Sequence, residues 1–457
     1  MADQQFDIVV LGGGSAGYAA AIRATQLGYS AAVIEKDKLG GTCLHRGCVP
    51  TKALLHSAEI ADVAREGEKY GVLSSVDSID IAKVNAFREN LVAGKFKGLQ
   101  GLLKANGITV IAGEGRLIDP HTVQVGDDKI TGKKIVLATG SYSRSLPGLD
   151  IEGRVITSEQ ALELQEIPNR VIILGGGVIG VEFASVWRSF GAEVTIVEGL
   201  PHLVPNEEES ISKQLERAFR KRGIDFKLGV RFKSVTQDAS SVTVTLEDGT
   251  EISADYLLVA VGRGPATQGN GFEEVGINMD RGFVLTDERL ATNVPDVYAI
   301  GDIVPGLQLA HRGYQQGIFV AEEIAGLNPV VVEDVNIPKV TYCDPEIASV
   351  GLTEAKAKEK YGDANVTTYE YNLAGNAKSS ILGTAGSVKA VRVNDGPVVG
   401  VHMIGARVGE LVGEAQLIVN WEAYPEDVAP FIHGHPTQNE TIGETMLKLA
   451  GKPLHAI

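Results

Sequence analysis

Phe6-Asp7-Ile8-Val9-Val10-Leu11-Gly12-Gly13-Gly14-Ser15-Ala16-Gly17 is the stretch whose reading decides the fold. Its first half is a nearly continuous apolar, β-branched run, the pattern of a strand buried on both faces of a parallel sheet. The glycines follow at once. Tyr18 to Leu27 is alanine-rich and stops at Gly28, which reads as a helix, and Ser30 to Ile34 reads as a second strand ending on Glu35. In such a strand-turn-helix unit Gly12 makes the tight turn, Gly14 lets a pyrophosphate approach the backbone, and Gly17 lets helix and strand pack closely. Free N–H groups at the helix start hold phosphate, and an acid about 20 residues on accepts hydrogen bonds from a ribose.

The same unit recurs downstream. Arg170 to Leu174 is the strand, Gly175-Gly176-Gly177-Val178-Ile179-Gly180 the turn, Val181 to Phe190 the helix, and Val194 to Val197 a strand ending on Glu198. Gly12 to Glu35 spans 23 positions, and so does Gly175 to Glu198. A lone glycine-rich turn is a weak signal, but two copies that each follow a strand, open a helix and precede an acid point to two dinucleotide sites. The second is followed by Glu198-Gly199-Leu200-Pro201-His202 with no Arg or Lys to receive a 2′-phosphate, so it is expected to prefer NAD(H) over NADP(H).

The whole chain of 457 residues is long enough for two to four domains. Its 44% hydrophobic and 22% charged residues are ordinary for a globular protein. A net charge of -16, from 42 basic and 58 acidic residues, repels phosphate backbones and anionic lipid surfaces, which argues against nucleic-acid or membrane partners. The longest charge-free apolar run, Ile8 to Ile22, is about 15 residues, short of the roughly 18 to 20 a membrane span needs. No basic leader precedes the first strand, so the expected compartment is the cytoplasm. There a persistent cysteine pair is more often catalytic than structural.

The chain holds three cysteines, two of them in Cys43-Leu44-His45-Arg46-Gly47-Cys48. They stand between Gly40-Gly41 and Pro50-Thr51-Lys52, just before the helical stretch Thr51 to Arg65. A nearby helix N-terminus favours the thiolate, and the short spacing permits a small ring that is readily reduced and re-formed. Two unrelated core cysteines are the plain alternative; a metal site lacks ligands, since His45 alone is too few and no further ligands converge around His433 and His435. Cys343 reads as a buried structural residue.

Gly40-Gly41-Thr42-Cys43, Cys48-Val49-Pro50-Thr51-Lys52, Ala138-Thr139-Gly140-Ser141, the second glycine turn, Ala299-Ile300-Gly301-Asp302 and His433-Gly434-His435-Pro436-Thr437-Gln438-Asn439-Glu440 lie in one order along nearly the whole chain. This series resembles the flavin-dependent pyridine nucleotide–disulfide oxidoreductases, and within them the members that oxidise protein-bound dihydrolipoamide. The resemblance implies an α/β fold: two Rossmann-like dinucleotide-binding domains plus a C-terminal α+β dimerisation domain. Residues 1–142 would be the FAD-binding domain, 143–265 the NAD-binding domain, 266–337 a central segment completing the FAD region, and 338–457 the dimerisation domain.

It also implies roles. FAD would be bound by Gly12, Gly14, Gly17, Glu35, Gly115, Thr139, Gly140 and Ser141, with Asp302 on the ribityl chain and Ala310 beside the flavin. NAD would be bound by Gly175, Gly177, Gly180, Glu198 and Gly262. Lys52 and Glu182 would pair near the flavin's reactive nitrogen, although by themselves they also read as a snorkelling lysine and a solvated helix residue. Cys43 would exchange with substrate and Cys48 face the flavin. His435 and Glu440 would carry the proton chemistry, His433 being structural. The tail would complete the site of a neighbouring subunit in a homodimer, whose partners would be lipoyl domains and the E2 core of 2-oxo acid dehydrogenase complexes. His45-Arg46 and the missing second arginine after Arg263 depart from the family pattern. A reductase of a low-molecular-weight disulfide and a non-catalytic flavoprotein subunit stand as the rival readings.

Overall fold

Helix Ser15–Gln26 starts on the first glycine turn at the end of strand Gln4–Leu11, in a computed structural model that describes residues 4–456. Three helices begin three residues before the starts read from sequence: Ser15 rather than Tyr18, Val178 rather than Val181, and Cys48 rather than Thr51. The reason is common to all three. Amides of a helix's first turn need no intrahelical acceptor, so a glycine or Pro50 fits inside that turn as well as before it. For the third helix, Cys48–Arg65, the shift makes Cys48 its first residue.

The N-terminal sheet has the parallel order Thr109–Ala112, Ala31–Glu35, Gln4–Leu11, Asp128–Leu137, with Val9 opposite Ala32 on one side and Ile135 on the other. Val297–Ala299, far along the chain, adds in parallel beside Asp128–Leu137. Thr122–Val125, itself paired with Gly115–Asp119, joins the first part of the same strand, Asp128–Leu137, in antiparallel fashion. The second sheet is wholly parallel, in the order Ile224–Leu228, Glu193–Glu198, Arg170–Leu174, Tyr256–Val259, Val155–Ile156. Between the two sheets the chain crosses twice, and the crossings, Ser141–Ser143 and Arg263–Pro265, pair as an antiparallel ribbon.

The C-terminal unit is an antiparallel sheet of five strands, Lys339–Thr341, Glu346–Gly351, Val398–Gly405, Ser387–Val393 and Val366–Asn372 in that order. Helices Val408–Asn420 and Glu440–Leu449 pack against it. The first of these ends at Asn420, and Glu422 then turns the chain through a left-handed conformation, φ 51°.

One apolar cluster joins the units. It contains Leu54 and Ala58 from the Cys48 helix, Val181 and Phe183 from the helix after the second glycine turn, and Cys343 and Ile347 from the C-terminal unit. The Cys48 helix is therefore clamped against both, which fixes the cysteines relative to the second nucleotide unit. Among the described residues no helix is long and apolar enough to cross a membrane.

Candidate active site

The two glycine turns share one geometry. Gly12 and Gly175 sit at φ +107° and +110°, and a Cβ on either would lie 2.2 Å from Ala138 O or 2.4 Å from Ala260 O. A Cβ on Gly17 would lie 1.9 Å from Gly12 O, and one on Gly180 2.0 Å from Gly175 O. These four glycines are demanded by the turn and by helix-strand packing. Gly14 and Gly177 have nothing within 4 Å of where a Cβ would be, and both line one large cavity. Open backbone at the second glycine is what an approaching pyrophosphate requires.

The acids repeat as well. Glu35 Oε2 accepts the Gly13 N–H at 2.7 Å and Oε1 the Asp37 N–H at 2.9 Å. Glu198 Oε2 accepts the Gly176 N–H at 2.7 Å and Oε1 the Leu200 N–H at 2.8 Å. Each carboxylate thereby closes its own turn and stands in the cavity wall. Burial pushes the Glu35 carboxyl above its ordinary value.

That cavity, about 2140 Å³, is roughly twice the upper end of about 1,000 Å³ usual for small-ligand pockets. It runs past Gly12, Gly14, Glu35, both cysteines, Lys52, Thr139, Gly140, Ser141, Asp302 and Ala310 to Gly175, Gly177, Glu182, Glu198 and Gly262. It suits two dinucleotides meeting at the cysteines. Thr139 Oγ1 is buried there without a partner. Ser141 Oγ donates to Asp302 at 2.6 Å and accepts from Arg263 Nε at 2.7 Å, so a partly buried arginine braces the aspartate. Gly17 and Gly180 support the turns from behind. Gly115 stands apart from the cavity, packed where a Cβ would meet Leu11, Ile34 and Val123 side chains at 2.6 to 3.0 Å.

Both site cysteines are free thiols, Cys43 in the short helix Gly41–His45 and Cys48 at the first position of Cys48–Arg65. The Cys43 thiol donates to Cys48, which with burial holds Cys43 far up as the protonated partner. The same hydrogen bond, with Lys52 nearby, brings Cys48 down to about 7 against its burial. A helix N-terminus at Cys48 acts in the same sense. The pair is thus poised to hold one proton and one negative charge, with the charge on Cys48. Cys343 is 1% exposed in the apolar cluster, its thiol donating to Pro345 O at 3.1 Å.

Lys52 Nζ lies 2.8 and 2.7 Å from the carboxylate oxygens of Glu182, which is itself 2% exposed. The pair settles both alternative readings in favour of an ion pair. Burial alone would lower the lysine, but Glu182 keeps it raised and charged. Tyr342 completes the arrangement: its N–H donates to Glu182 Oε1 at 2.9 Å and its ring lies 4.8 Å from Lys52 Nζ. Nothing near Tyr342 in the sequence marks it, because its partners are 160 and 290 positions away.

His435 and Glu440 do meet. His435 Nδ1 lies 2.8 Å from Glu440 Oε1, while Glu440 Oε2 accepts the Thr437 N–H at 2.7 Å. Those bonds hold the Glu440 carboxyl below its ordinary value despite burial. With Nδ1 donating to Glu440, Nε2 is left as the proton acceptor. The His435 side chain is 72% exposed and lies outside the cavity that holds the cysteines of its own chain. His433 bonds instead to Glu414. Among the described residues no group of three or more His, Cys, Asp or Glu is placed to hold a metal ion.

The chain is 40% identical to dihydrolipoyl dehydrogenase of Bacillus subtilis (strain 168) over 99% of both chains, and 38% identical to the mitochondrial dihydrolipoyl dehydrogenase of Pisum sativum over 98% of this chain and 92% of that one. Among solved structures it resembles LpdA from Mycobacterium tuberculosis with a TM-score of 0.90 and 28% identity, covering 98% of this chain and 99% of that one. Residues 337–446 match a pyridine nucleotide-disulphide oxidoreductase dimerisation domain, so the chain is built to pair with a second copy. With residues 6–317 matching the pyridine nucleotide-disulphide oxidoreductase family itself, this chain belongs to that family.

Proposed function

We propose that the chain is a dihydrolipoyl dehydrogenase, which oxidises dihydrolipoamide carried on a protein to lipoamide and reduces NAD+ to NADH. The observation that carries this is the placement of Cys43 and Cys48 in the wall of one cavity lined by both glycine turns. Full-length similarity to dihydrolipoyl dehydrogenases supports it. Residues 1–142 and 266–337 hold FAD, 143–265 hold NAD, and 338–457 form the dimer. The open backbone at Gly14 and Gly177, with Glu35 and Glu198, fits the two dinucleotides. Gly12, Gly17, Gly175 and Gly180 shape those turns, and Gly115 serves through the sheet behind the first.

Bound FAD supplies the two-electron link between a dithiol and NAD+, which do not react directly. The protein's own part begins with its Cys43–Cys48 disulfide oxidised. His435 of one protomer, held by Glu440, takes a proton from a substrate thiol at the site of the other. The substrate thiolate attacks Cys43 Sγ, forming a mixed disulfide and breaking the Cys43–Cys48 bond. Cys48 leaves as thiolate, a form that the Lys52 charge and the helix N-terminus favour; a hydrogen bond from Cys43 is added only once that residue is a thiol again. The second substrate sulfur then loses its proton and attacks the first, closing lipoamide and releasing Cys43, which is re-protonated. Lys52 stays charged beside Glu182 and holds Cys48 in the anionic state.

The docking partners in this reading are lipoyl domains and the E2 core of 2-oxo acid dehydrogenase complexes, in a reducing compartment such as the cytoplasm. The deciding experiment measures NAD+ and NADP+ reduction by dihydrolipoamide beside NADPH oxidation by low-molecular-weight disulfides. NAD+-specific turnover of dihydrolipoamide is the expected result; turnover of the disulfides alone, or of neither, refutes the proposal.

A further inference from the structure

The segment 433–439 that carries His435 belongs to no helix or strand, so side-chain contacts set its shape. Two of those contacts come from one residue on another element. Glu414, on helix Val408–Asn420, accepts from His433 Nε2 at 2.7 Å through one carboxylate oxygen and from Asn439 Nδ2 at 2.7 Å through the other. His433 precedes His435 by two positions and Asn439 immediately precedes Glu440. The carboxylate therefore grips the segment on both sides of His435, its second contact lying next to Glu440. His433 has little room to move, since a Cβ on Gly443 would already lie 2.6 Å from its Nδ1. Further ties, Asn376 Nδ2 to Thr437 O at 2.9 Å and Gln438 Nε2 to Ala406 O at 2.8 Å, come from buried amides and fix the middle and the far side.

We propose that Glu414 is a positioning residue for the acid-base dyad: by holding His433 and Asn439 together it sets the distance and angle between His435 and Glu440. The inference rests on the dihydrolipoamide reading of the site and adds to it a residue that touches neither substrate nor cysteine. Glu414 and His433 also reinforce each other as an ion pair, the carboxyl lowered and the imidazole raised by their mutual bond. Catalytic geometry is steep, and a misplacement of about 1 Å costs roughly 10²-fold in rate. A loop without backbone ladders depends on such grips more than a dyad built on one helix does.

The test uses the full-length FAD-loaded protein and compares wild type, Glu414→Ala, Asn439→Ala, His435→Gln and the Glu414→Ala/His435→Gln double variant. Two reactions are followed, NAD+ reduction by dihydrolipoamide and NADH-driven ferricyanide reduction, the second needing no thiol deprotonation. Glu414→Ala is expected to lower kcat for dihydrolipoamide by roughly 10²-fold with KM changed less than about twofold and ferricyanide reduction retained. Asn439→Ala, which removes one of the two grips, should lose less. In the His435→Gln background Glu414→Ala should add less than about twofold, because residues acting as a unit are not additive. A fully active Glu414→Ala, losses that multiply with His435→Gln, or a parallel loss of ferricyanide reduction in both Glu414→Ala and Asn439→Ala overturns the inference while leaving the proposed function intact. Wild-type protein that fails to turn over dihydrolipoamide overturns both.

Discussion

Lys52 and Glu182, 130 positions apart, form an ion pair at 2.7 and 2.8 Å that ties the helix starting on Cys48 to the helix starting on the second glycine turn. It therefore links the thiol end of the cavity to the nucleotide end. Glu182 is buried and is left with only the Tyr342 N–H if the lysine is removed.

Replacing Lys52 by Met should thus cost stability, at most about 3 kcal/mol, the low end for breaking a buried pair, because Lys52 is only partly buried and the Tyr342 bond remains. It should also raise the Cys48 thiol above about 7, since Lys52 is one of the influences lowering it. Urea unfolding and thiolate absorbance of the reduced protein against pH measure the two effects. A Lys52→Met protein as stable as wild type would show that Glu182 is not confined as described.

The reduced cysteine pair should leave its own signature in stability. Cys48 titrates near 7 when folded against 9.0 for an ordinary thiol, while Cys43 is shifted far upward. Between pH 7 and 9 the unfolded chain holds both thiol protons and the folded chain only one, so the pair's contribution rises with pH; above 9 the unfolded chain loses both and the contribution falls. The difference in unfolding free energy between wild type and a Cys43→Ala/Cys48→Ala variant under reducing conditions should peak near pH 9. Cys43→Ala alone should raise the Cys48 titration, because it deletes the hydrogen bond that lowers it most.

His435→Gln should reduce dihydrolipoamide oxidation by about 10²- to 10⁴-fold, the usual worth of a positioned proton acceptor. NADH-driven ferricyanide reduction should survive. Glu440→Gln should fall in the same direction by less, since a neutral amide still accepts from Nδ1 of His435. Equal loss in both reactions would show that the tail supports the fold and not the proton transfer.

The glycines separate folding from binding. Gly17→Ala and Gly180→Ala place a methyl about 2 Å from a carbonyl oxygen and should give little folded protein. Gly14→Ala and Gly177→Ala meet nothing within 4 Å and should fold. Gly14→Ala should then release FAD readily, and Gly177→Ala should keep the yellow flavin but raise KM for NAD+ by at least about tenfold. Flavin content after gel filtration and NAD+ kinetics check this pair; unchanged binding in both would remove the two turns as dinucleotide sites.

Much of this was legible in the linear chain because it rests on local chemistry. A buried strand, a glycine turn, a helix and an acid 23 positions after the first glycine make a self-contained unit, and Glu35 and Glu198 bond back to their own turns. The cysteine pair and the His435–Glu440 dyad likewise span only five positions each. Helix starts were misplaced by three residues, since glycine and proline are compatible with a first turn and so do not mark where it begins.

Contacts between distant segments were not legible. Whether Lys52 points to solvent or to Glu182, that Tyr342 caps that pair, that Arg263 braces Asp302 through Ser141, and that Glu414 grips both sides of His435 all depend on which faces the packed units bring together. Burial then decides the electrostatics: the same residues in water would neither hold Lys52 raised against desolvation nor divide one proton unequally between Cys43 and Cys48. Local backbone chemistry thus specified two nucleotide turns and a thiol pair, while the apolar cluster that locks the Cys48 helix between two units turned them into one connected cavity.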